Sequence, residues 1–467
     1  MKQLKRIKKI TRKMEQHMTA SQMMVFGFAA VILLGGILLS FPICNADGKW
    51  LNFIDALFTS CTSVCVTGLV TVVPAEQFTL LGKMVILLLI QFGGLGIIAC
   101  TMGAFLILRR QITIRNRVVI QESYNLNTLS GLVVMLKFVL CGTFLAEGIG
   151  AFFYALQFVP QFGFFRGVWY SIFHSISAFC NAGIDILGEN SLQAYQTSPL
   201  VNFTTIGLII ASGLGFTVWQ DLLLTGKRIR GREFSFGRCM QKMRLHTKLA
   251  LLMTLVLVLG GTIGFFCMEY SNPATLGPFR MGEKWMAAMF QSVTTRTAGF
   301  FTIPQSAFYE PSRFLSCILM FIGGSPGGTA GGVKTTTIMI LLLTCWSVLK
   351  GNPDTEYCRR KIPALNVRTA FSVVIVAFVA LLGGTMAILL FEPVGLMDAL
   401  YEVTSAIGTV GLSVGITPSL SSASKLVVIL LMYMGRIGPT TLVLLFAGKI
   451  GKTKAGRKLP EERIMVG

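Results

Sequence analysis

Four short polar segments, each set in an apolar stretch of the chain, contain the residues best suited to coordinate an ion. They read FTSCTSVCVTGL (Phe58 to Leu69), FHSISAFCNAGI (Phe173 to Ile184), FQSVTTRTAGF (Phe290 to Phe300) and YEVTSAIGTVGL (Tyr401 to Leu412). Each segment ends in a glycine followed by a large apolar residue. Glycine permits a backbone conformation that presents adjacent carbonyl oxygens to a passing cation.

The spacing of these glycines indicates an internal repeat. Gly68, Gly183, Gly299 and Gly411 are separated by 115, 116 and 112 residues, so each repeat takes up about a quarter of the chain. A single glycine could be only a close-packing site between membrane helices. Four in register, each behind a Ser/Thr-rich segment, favour a shared role in coordinating an ion.

An acid stands thirteen residues before the glycine in two of the repeats. These acids are Asp55 and Asp398, each at the start of an apolar segment. A carboxylate there is expected to cap the N-terminus of a short helix. A direct role in ion conduction is the alternative.

The elements that hold these segments must lie in a membrane. The chain has 467 residues, 53% hydrophobic and 13% charged, with a mean hydropathy of +0.69. Apolar runs long enough to cross a hydrocarbon core recur throughout, and no soluble domain fits between them. The net charge of +21 comes from lysines and arginines between these runs and at the ends, the pattern of cytoplasmic loops rather than of a nucleic-acid-binding surface. Both termini are therefore expected in the cytoplasm.

Each glycine segment is too short and polar for a full crossing, which predicts a half-helix that returns as extended chain. Extended backbone survives at membrane depth only where protein surrounds it or where it lines a water-filled cavity. Four half-helices around one axis would point their negative C-terminal ends at a cation. No catalytic constellation appears in the sequence, so no enzymatic activity is expected.

Two further features are unusual for membrane spans. The run GGSPGGTAGGVKTTT (Gly323 to Thr337) must break a helix, because glycine costs about 1 and proline about 3 kcal/mol in a helix interior. Arg436 lies 11 residues after Lys425 and 13 before Lys449, too deep for its side chain to reach either interface. Such a residue faces a polar pathway or pairs with a carboxylate such as Glu147.

The four repeats, the glycine-ended loops and the order of span, pore loop and span resemble the Ktr/Trk/HKT superfamily of potassium transporters, from about Gln22 to Ile450. The resemblance implies an all-α integral membrane protein with eight transmembrane helices and four tandem repeats arranged pseudo-fourfold around one pore. Carried over by position, the selectivity filter that binds K⁺ consists of Val66, Thr67, Gly68, Asn181, Ala182, Gly183, Thr297, Ala298, Gly299, Thr409, Val410 and Gly411.

The same resemblance implies a gate on the cytoplasmic side of the filter. Its members are an intramembrane loop and the arginine of the last span: Gly323, Gly324, Ser325, Pro326, Gly327, Gly328, Thr329, Ala330, Gly331, Gly332, Lys334 and Arg436. Only one span precedes the first pore helix, which is typical of the Ktr-type membrane subunit. Such subunits form homodimers and dock a cytoplasmic ring of nucleotide-binding, RCK-type regulatory subunits.

The chain therefore divides into an N-terminal arm (1–21), repeats 1 to 4 (22–126, 127–244, 245–364 and 365–450) and a cytoplasmic tail (451–467). The expected function is K⁺ uptake across the bacterial cytoplasmic membrane, with Na⁺ as a potential activator and no organic cofactor. The alternative is a carrier of another cation, Na⁺ or ammonium, although alternating-access folds commonly have two repeats.

Overall fold

The computed structural model describes residues 20–96, 100, 132–231 and 236–438, and these residues are predominantly helical. The predicted tail, most of the N-terminal arm and the basic stretch Arg109 to Arg117 lie outside them. The α-helices in this part are α1 Ala20–Ser40, α2 Phe53–Cys65, α3 Pro74–Gln77, α4 Leu80–Leu95, α5 Leu132–Phe162, α6 Phe164–Cys180, α7 Pro199–Leu214, α8 Phe216–Arg230, α9 Phe236–Lys242, α10 Leu245–Glu269, α11 Met281–Thr294, α12 Glu310–Phe321, α13 Thr335–Leu349, α14 Ala364–Phe391, α15 Leu396–Gly408 and α16 Ser422–Ile437.

Four 3₁₀ turns and one small hairpin complete the described secondary structure. The turns are Pro42–Cys44, Gln193–Tyr195, Gln305–Ala307 and Thr417–Ser419. The hairpin pairs strand β1 (Glu356–Tyr357) with strand β2 (Arg360–Lys361) in antiparallel register.

Four of the described helices, α1, α5, α10 and α14, are long and apolar enough to cross a membrane. Each is followed by one of the shorter helices that contain the polar segments, and packs against it: α1 on α2, α5 on α6, α10 on α11 and α14 on α15. The chain is thus a multi-pass membrane protein whose short helices are enclosed by long ones.

After each of the short helices α2, α6, α11 and α15, the next helix longer than one turn packs on the following one of these four, with α15 leading back to α2. Helix α4 packs on α6, α7 on α11, α12 on α15, and α16 returns to α2. The packing order therefore closes on itself, and each of α2, α6, α11 and α15 is held between helices from two quarters of the chain.

The second span of each quarter is short or interrupted within the described residues. The predicted break in the third quarter is present, since α12 ends at Phe321 and α13 begins at Thr335. A second break was not predicted: α7 and α8 meet at Gly215 at an angle of 95°. Gly215 has φ of +90°, which a residue with a side chain rarely adopts.

The capping role predicted for Asp55 and Asp398 is wrong. The N-cap of α2 is Asn52, whose side-chain oxygen accepts a hydrogen bond from the Ile54 amide, and α15 begins after Gly395. Both acids lie in the first turn, three residues after the cap, where their negative charge still interacts favourably with the positive end of the helix dipole. Their side chains bind basic residues of other helices instead.

Candidate functional site

All four polar segments leave their helices through the same backbone conformation. A left-handed residue comes first and a glycine with positive φ follows two positions later. The φ angles of these pairs are 55° and 103° for Val66 and Gly68, 61° and 62° for Asn181 and Gly183, 71° and 86° for Thr297 and Gly299, and 51° and 95° for Thr409 and Gly411. A positive φ is uncommon outside glycine and costs free energy. Its occurrence at four related positions identifies one backbone motif used four times.

The four glycines lie against one another in chain order. A Cβ atom built on Gly68 would lie 2.6 Å from the Ala182 carbonyl oxygen, and one on Gly183 would lie 2.5 Å from that of Ala298. The corresponding carbonyls for Gly299 and Gly411 are those of Val410 and Thr67. Each glycine thus faces the residue before the next glycine, and the cycle closes. No larger residue fits at any of the four positions.

A buried hydroxyl ties each extended segment to its own helix. Thr62 Oγ1 accepts a hydrogen bond from the Gly68 amide at 2.9 Å, and Ser405 Oγ accepts one from the Gly411 amide at 3.0 Å. In the other two segments the hydroxyl donates to the carbonyl after the glycine: Ser177 to Ile184 at 2.6 Å and Thr294 to Phe300 at 2.5 Å. The Ser/Thr content of these segments is evident in the sequence, but the role of these four residues was not predicted from it.

Three threonines of the predicted filter have hydroxyls without a hydrogen-bond partner. Thr67, Thr297 and Thr409 are fully buried, yet Oγ1 of each is unsatisfied. An unsatisfied buried hydroxyl costs about 1–3 kcal/mol, and a dehydrated cation can use such an oxygen as a ligand. The oxygen-only donor set and the glycine cycle fit a monovalent cation as cargo. Among the described residues no cluster of His, Cys, Asp and Glu could hold a metal ion.

Each short helix also carries a buried polar residue directly after an aromatic one. These residues are Thr59, His174, Gln291 and Glu402. Gln291 bonds Gln305 at 2.7 Å, and Glu402 accepts a hydrogen bond from Thr417 at 3.1 Å. These contacts connect two of the short helices to the loops that follow the glycines.

The predicted gate loop, between α12 and α13, is closed at its neck. The Gly323 amide donates to the Val333 carbonyl at 2.8 Å, and the hydroxyls of Ser325 and Thr335 lie 2.8 Å apart. The Ser325 amide also donates to the Gly213 carbonyl of α7 at 2.8 Å. The loop is therefore a folded element anchored to a neighbouring helix.

Thr329, at the centre of this loop, contacts the base of the predicted filter. Its hydroxyl donates to the Phe179 carbonyl at 3.1 Å and accepts from the Asn181 side-chain amide at 3.1 Å. Asn181 in turn accepts a hydrogen bond from Ser212 at 3.3 Å. Asn181 is the one predicted filter residue with a side-chain amide, and here that amide holds the loop.

Arg436 also binds the loop, through backbone oxygens. Its guanidinium donates to the carbonyls of Thr329 and Gly93, and to that of Gly94 at 3.1 Å. The alternative of an ion pair with Glu147 is wrong, because the Glu147 carboxylate accepts hydrogen bonds from the Gln91 side chain at 3.1 and 3.3 Å and from the Cys180 thiol at 3.9 Å. Because these partners are neutral carbonyls, the charge of Arg436 is not compensated by any carboxylate of the described residues.

Lys334 behaves in the same way at the end of the loop. Its ammonium group donates to the carbonyls of Ala330 at 2.6 Å and Gly331 at 3.3 Å. Gly331 itself packs against Thr409, since a Cβ atom there would overlap the threonine hydroxyl. Two basic side chains therefore lie next to the loop at the base of the predicted filter.

On the opposite side, two ion pairs join neighbouring quarters of the chain. Lys425 binds Asp55 at 2.8 Å, and Arg313 binds Asp398 at 3.1 Å. The two basic residues each stand fourteen positions after a glycine, and the two acids thirteen positions before one. The sequence contained this regularity, but the basic half of it was missed.

Comparison with known proteins finds a matching family model, similar relatives and a similar solved structure. A family model described as "TrkH: Cation transport protein" matches residues 2–454. The potassium/sodium uptake protein NtpJ of Enterococcus hirae is 38% identical over 98% of this chain and 99% of its own length. Ktr system potassium uptake protein B of Bacillus subtilis is 37% identical, with 92% and 93% covered. The crystal structure of the potassium transporter TrkH from Vibrio parahaemolyticus superposes with a TM-score of 0.69 at 19% identity, covering 92% of this chain and 84% of that one.

Proposed function

Because the chain belongs to the TrkH family of cation transport proteins, we propose that it takes up K⁺ through one pseudo-fourfold pore formed by its four repeats. The family is one of membrane transporters and not of enzymes, as expected from the sequence. The observation that carries the proposal is the fourfold backbone motif, in which each glycine faces the carbonyl before the next. Carbonyls arranged in this way replace the hydration shell of a monovalent cation.

The filter of this pore comprises the twelve residues predicted from the sequence, three in each repeat. The three unsatisfied threonine hydroxyls, of Thr67, Thr297 and Thr409, add ligands at its base. Only one glycine per repeat supports the extended conformation, so the filter is short and holds fewer dehydrated ions than that of a potassium channel.

The loop from Gly323 to Lys334 and Arg436 form the gate of this pore. This assignment is supported by the hydrogen bonds that connect Thr329 of the loop with Asn181, a residue of the proposed filter, and with Arg436. An ion that leaves the filter would meet the uncompensated charge of Arg436 and be repelled. Opening requires the Thr329 contacts to break.

The protein is oriented with both termini and its basic loops in the cytoplasm of a bacterium, following the positive-inside rule. Its subunits pair as homodimers, and its cytoplasmic surface docks an RCK-type, nucleotide-binding regulatory ring that controls the gate. Na⁺ stimulates transport. The names of two relatives support the assignment to K⁺ uptake that involves Na⁺ and further subunits. One is a potassium/sodium uptake protein, and the other is protein B of the Ktr potassium uptake system.

Complementation tests the proposal directly. The chain, expressed with its regulatory subunit in a bacterium lacking K⁺ uptake, is expected to restore growth at low K⁺. Gly68→Ser is expected to abolish or severely weaken growth, because the new Cβ would lie 2.6 Å from the Ala182 carbonyl oxygen. Gly48→Ser is a matched control, since Gly48 also has positive φ but a Cβ atom built on it would have nothing within 4 Å. Equal growth of all three strains would remove Gly68 from the filter.

A carrier for another cation, Na⁺ or ammonium, is the second candidate, and the NtpJ name, which includes sodium, is the observation in its favour. Fluxes of K⁺, Rb⁺ and Na⁺ into proteoliposomes, with and without a membrane potential, separate the two. A pore gives rapid flux that follows the potential and prefers K⁺ and Rb⁺. A carrier gives saturable flux that requires a coupled ion gradient.

A further inference from the structure

Helix α8 is an amphipathic helix that leaves the bundle at the bend after α7. The two helices meet at 95°, and α7 alone spans about 24 Å at 1.5 Å per residue, nearly the thickness of a hydrocarbon core. If α7 crosses the bilayer, α8 must run along its surface. The topology proposed above puts that surface on the cytoplasmic side.

Most apolar residues of α8 lie on one side of the helix and most polar residues on the other. At 100° per residue, Trp219, Leu222, Leu223 and Ile229 fall within an arc of about 120°. The same arc contains one charged residue, Arg230, at the last position of the helix. Thr217, Gln220, Lys227 and Arg228 fall within a second arc of about 100° on the other side. Leu223, within the apolar arc, is 55% exposed. An apolar arc beside a polar one is the pattern of a helix lying in the headgroup region of a membrane.

The last turn of α8 places positive charge in the same headgroup region of the membrane. Lys227, Arg228 and Arg230 occupy this turn, and Lys227 and Arg230 are exposed. None of the three forms an ion pair with a described residue. The one acid of the helix, Asp221, is buried and accepts a hydrogen bond from the Arg244 amide at 3.0 Å, so it does not neutralise this cluster. The partner that fits exposed leucines next to exposed basic residues is an anionic lipid leaflet.

The first turn of α8 is joined to the gate loop. The Phe216 amide donates to the Gly327 carbonyl at 3.0 Å, and a Cβ atom on Gly215 would lie 2.5 Å from the Pro326 carbonyl oxygen. Trp219 packs on Phe179, at a ring distance of 6.0 Å, and Phe179 also accepts the Thr329 hydrogen bond. A shift of α8 therefore changes contacts of both the loop and the helix that carries Asn181.

From these contacts we propose that α8 binds anionic phospholipid of the cytoplasmic leaflet and that this binding stabilises the gate loop against the filter. A ligand that favours α8 in the position seen here favours the loop conformation seen here, in which Thr329 bonds Asn181 and Arg436. Anionic lipid therefore lowers ion flux in the absence of the regulatory ring. The inference rests on the proposed pore function for its flux readout only.

The test uses the full chain in vesicles of phosphatidylcholine, with or without about one-third phosphatidylglycerol. Each basic residue near an anionic surface strengthens binding to that surface about five-fold. Rb⁺ flux is expected to be about five-fold lower with phosphatidylglycerol. The triple variant Lys227→Gln, Arg228→Gln, Arg230→Gln is expected to lose this difference. The matched triple variant Arg359→Gln, Arg360→Gln, Lys361→Gln, which removes the same charge from the β1–β2 hairpin, is expected to keep it.

A second readout does not depend on flux. Fluorescence of Trp219, isolated by subtraction of a Trp219→Phe variant, is expected to be quenched more strongly by brominated phosphatidylglycerol than by brominated phosphatidylcholine. Leu223→Gln should reduce this quenching, whereas Leu224→Gln, a leucine of similar exposure outside the apolar arc, should not.

The outcomes separate the two proposals. No Rb⁺ flux from the unmodified chain in either lipid, with selective quenching intact, would overturn the pore and leave the lipid site standing. Flux and quenching that are both indifferent to phosphatidylglycerol would overturn the lipid site alone. If the α8 triple variant instead loses capture of the regulatory subunit while lipid dependence persists, α8 is a docking surface for that subunit and the inference is wrong.

Discussion

The basic residues on the two sides of the filter are bound in different ways. On one side, Lys425 and Arg313 each bind a carboxylate, Asp55 and Asp398, in the first turn of a short helix. On the side of the proposed gate, the hydrogen-bond partners of Arg436 and Lys334 among the described residues are backbone carbonyls. A carboxylate neutralises its partner, whereas a carbonyl satisfies hydrogen bonds and leaves the charge. The first pairs can hold the quarters of the chain together, and the second pair can repel a cation.

Neutralising Arg436 is expected to have the largest effect. A unit charge about 8 Å from an ion contributes about 2 kcal/mol at an effective dielectric constant of 20, so Arg436→Gln should raise Rb⁺ flux by up to about 30-fold. Arg436→Lys keeps the charge and serves as the control, with flux near that of the unmodified protein. Flux into proteoliposomes at a fixed potential measures both. Equal flux for Arg436→Gln would show that the arginine is structural.

Breaking the pair of Lys425 and Asp55 should affect stability more than conduction. Both side chains are largely buried, at 14% and 16% exposed, so Lys425→Met leaves a carboxylate without its partner and should cost about 2–3 kcal/mol. Thermal unfolding in detergent measures the loss. The double variant Lys425→Met, Asp55→Leu should recover most of it, because no unpaired charge remains. A double variant as unstable as the sum of the single changes would mean that the pair has no coupling energy.

The pair of Arg313 and Asp398 is more exposed, at 20% and 34%, and should contribute less. Arg313→Gln is expected to cost about 1 kcal/mol, since water already screens this pair. The pair of Lys361 and Asp354 in the β1–β2 region is the most exposed of the three pairs, at 60% and 40%. Lys361→Gln is therefore expected to lower the free energy of unfolding by only about 0–0.5 kcal/mol. If the three pairs do not follow this order, burial does not determine their strength.

The smallest effect concerns Asp185, an acid that forms no ion pair with a described residue. Burial raises the pKa of Asp185 to about 6, although the Leu187 amide, 3.2 Å from its carboxylate, partly opposes the shift. Because the pKa is higher in the folded than in the unfolded chain, the stability of the folded state should increase as the pH falls from about 6 to about 4. Asp185 stands two residues after Gly183, so losing its charge below pH 6 should raise the KM for Rb⁺ about two-fold.

Asp185→Asn should remove the contribution of Asp185 to the pH dependence of both the unfolding temperature and the KM in this range. Asp47→Asn is the control, because Asp47 is an exposed acid whose carboxylate accepts a hydrogen bond from the Lys49 amide of its own turn. A pH dependence that survives in Asp185→Asn would assign it to another group.

Much of the site could be predicted from the sequence because its requirements are local. Gly68, Gly183, Gly299 and Gly411 must be glycine to adopt their φ and to fit against the next carbonyl, so their spacing alone located the four segments. The glycines and proline of the loop after Phe321 cannot continue a helix, so its break was also predictable. The bend at Gly215 was missed, because two isolated glycines, Gly213 and Gly215, in an apolar stretch are no clear signal of a break.

The sequence by itself determined the membrane class, the four segments and the interrupted span, since each follows from composition, period or local backbone chemistry. Only the tertiary structure decided which groups meet. Asn181 binds Thr329, 148 positions away, and Lys425 binds Asp55, 370 positions away. Partners at such separations are chosen by how helices pack, and no property of either residue alone specifies them. For the same reason Arg436, which could pair with Glu147 by charge alone, binds the carbonyls that packing places beside it.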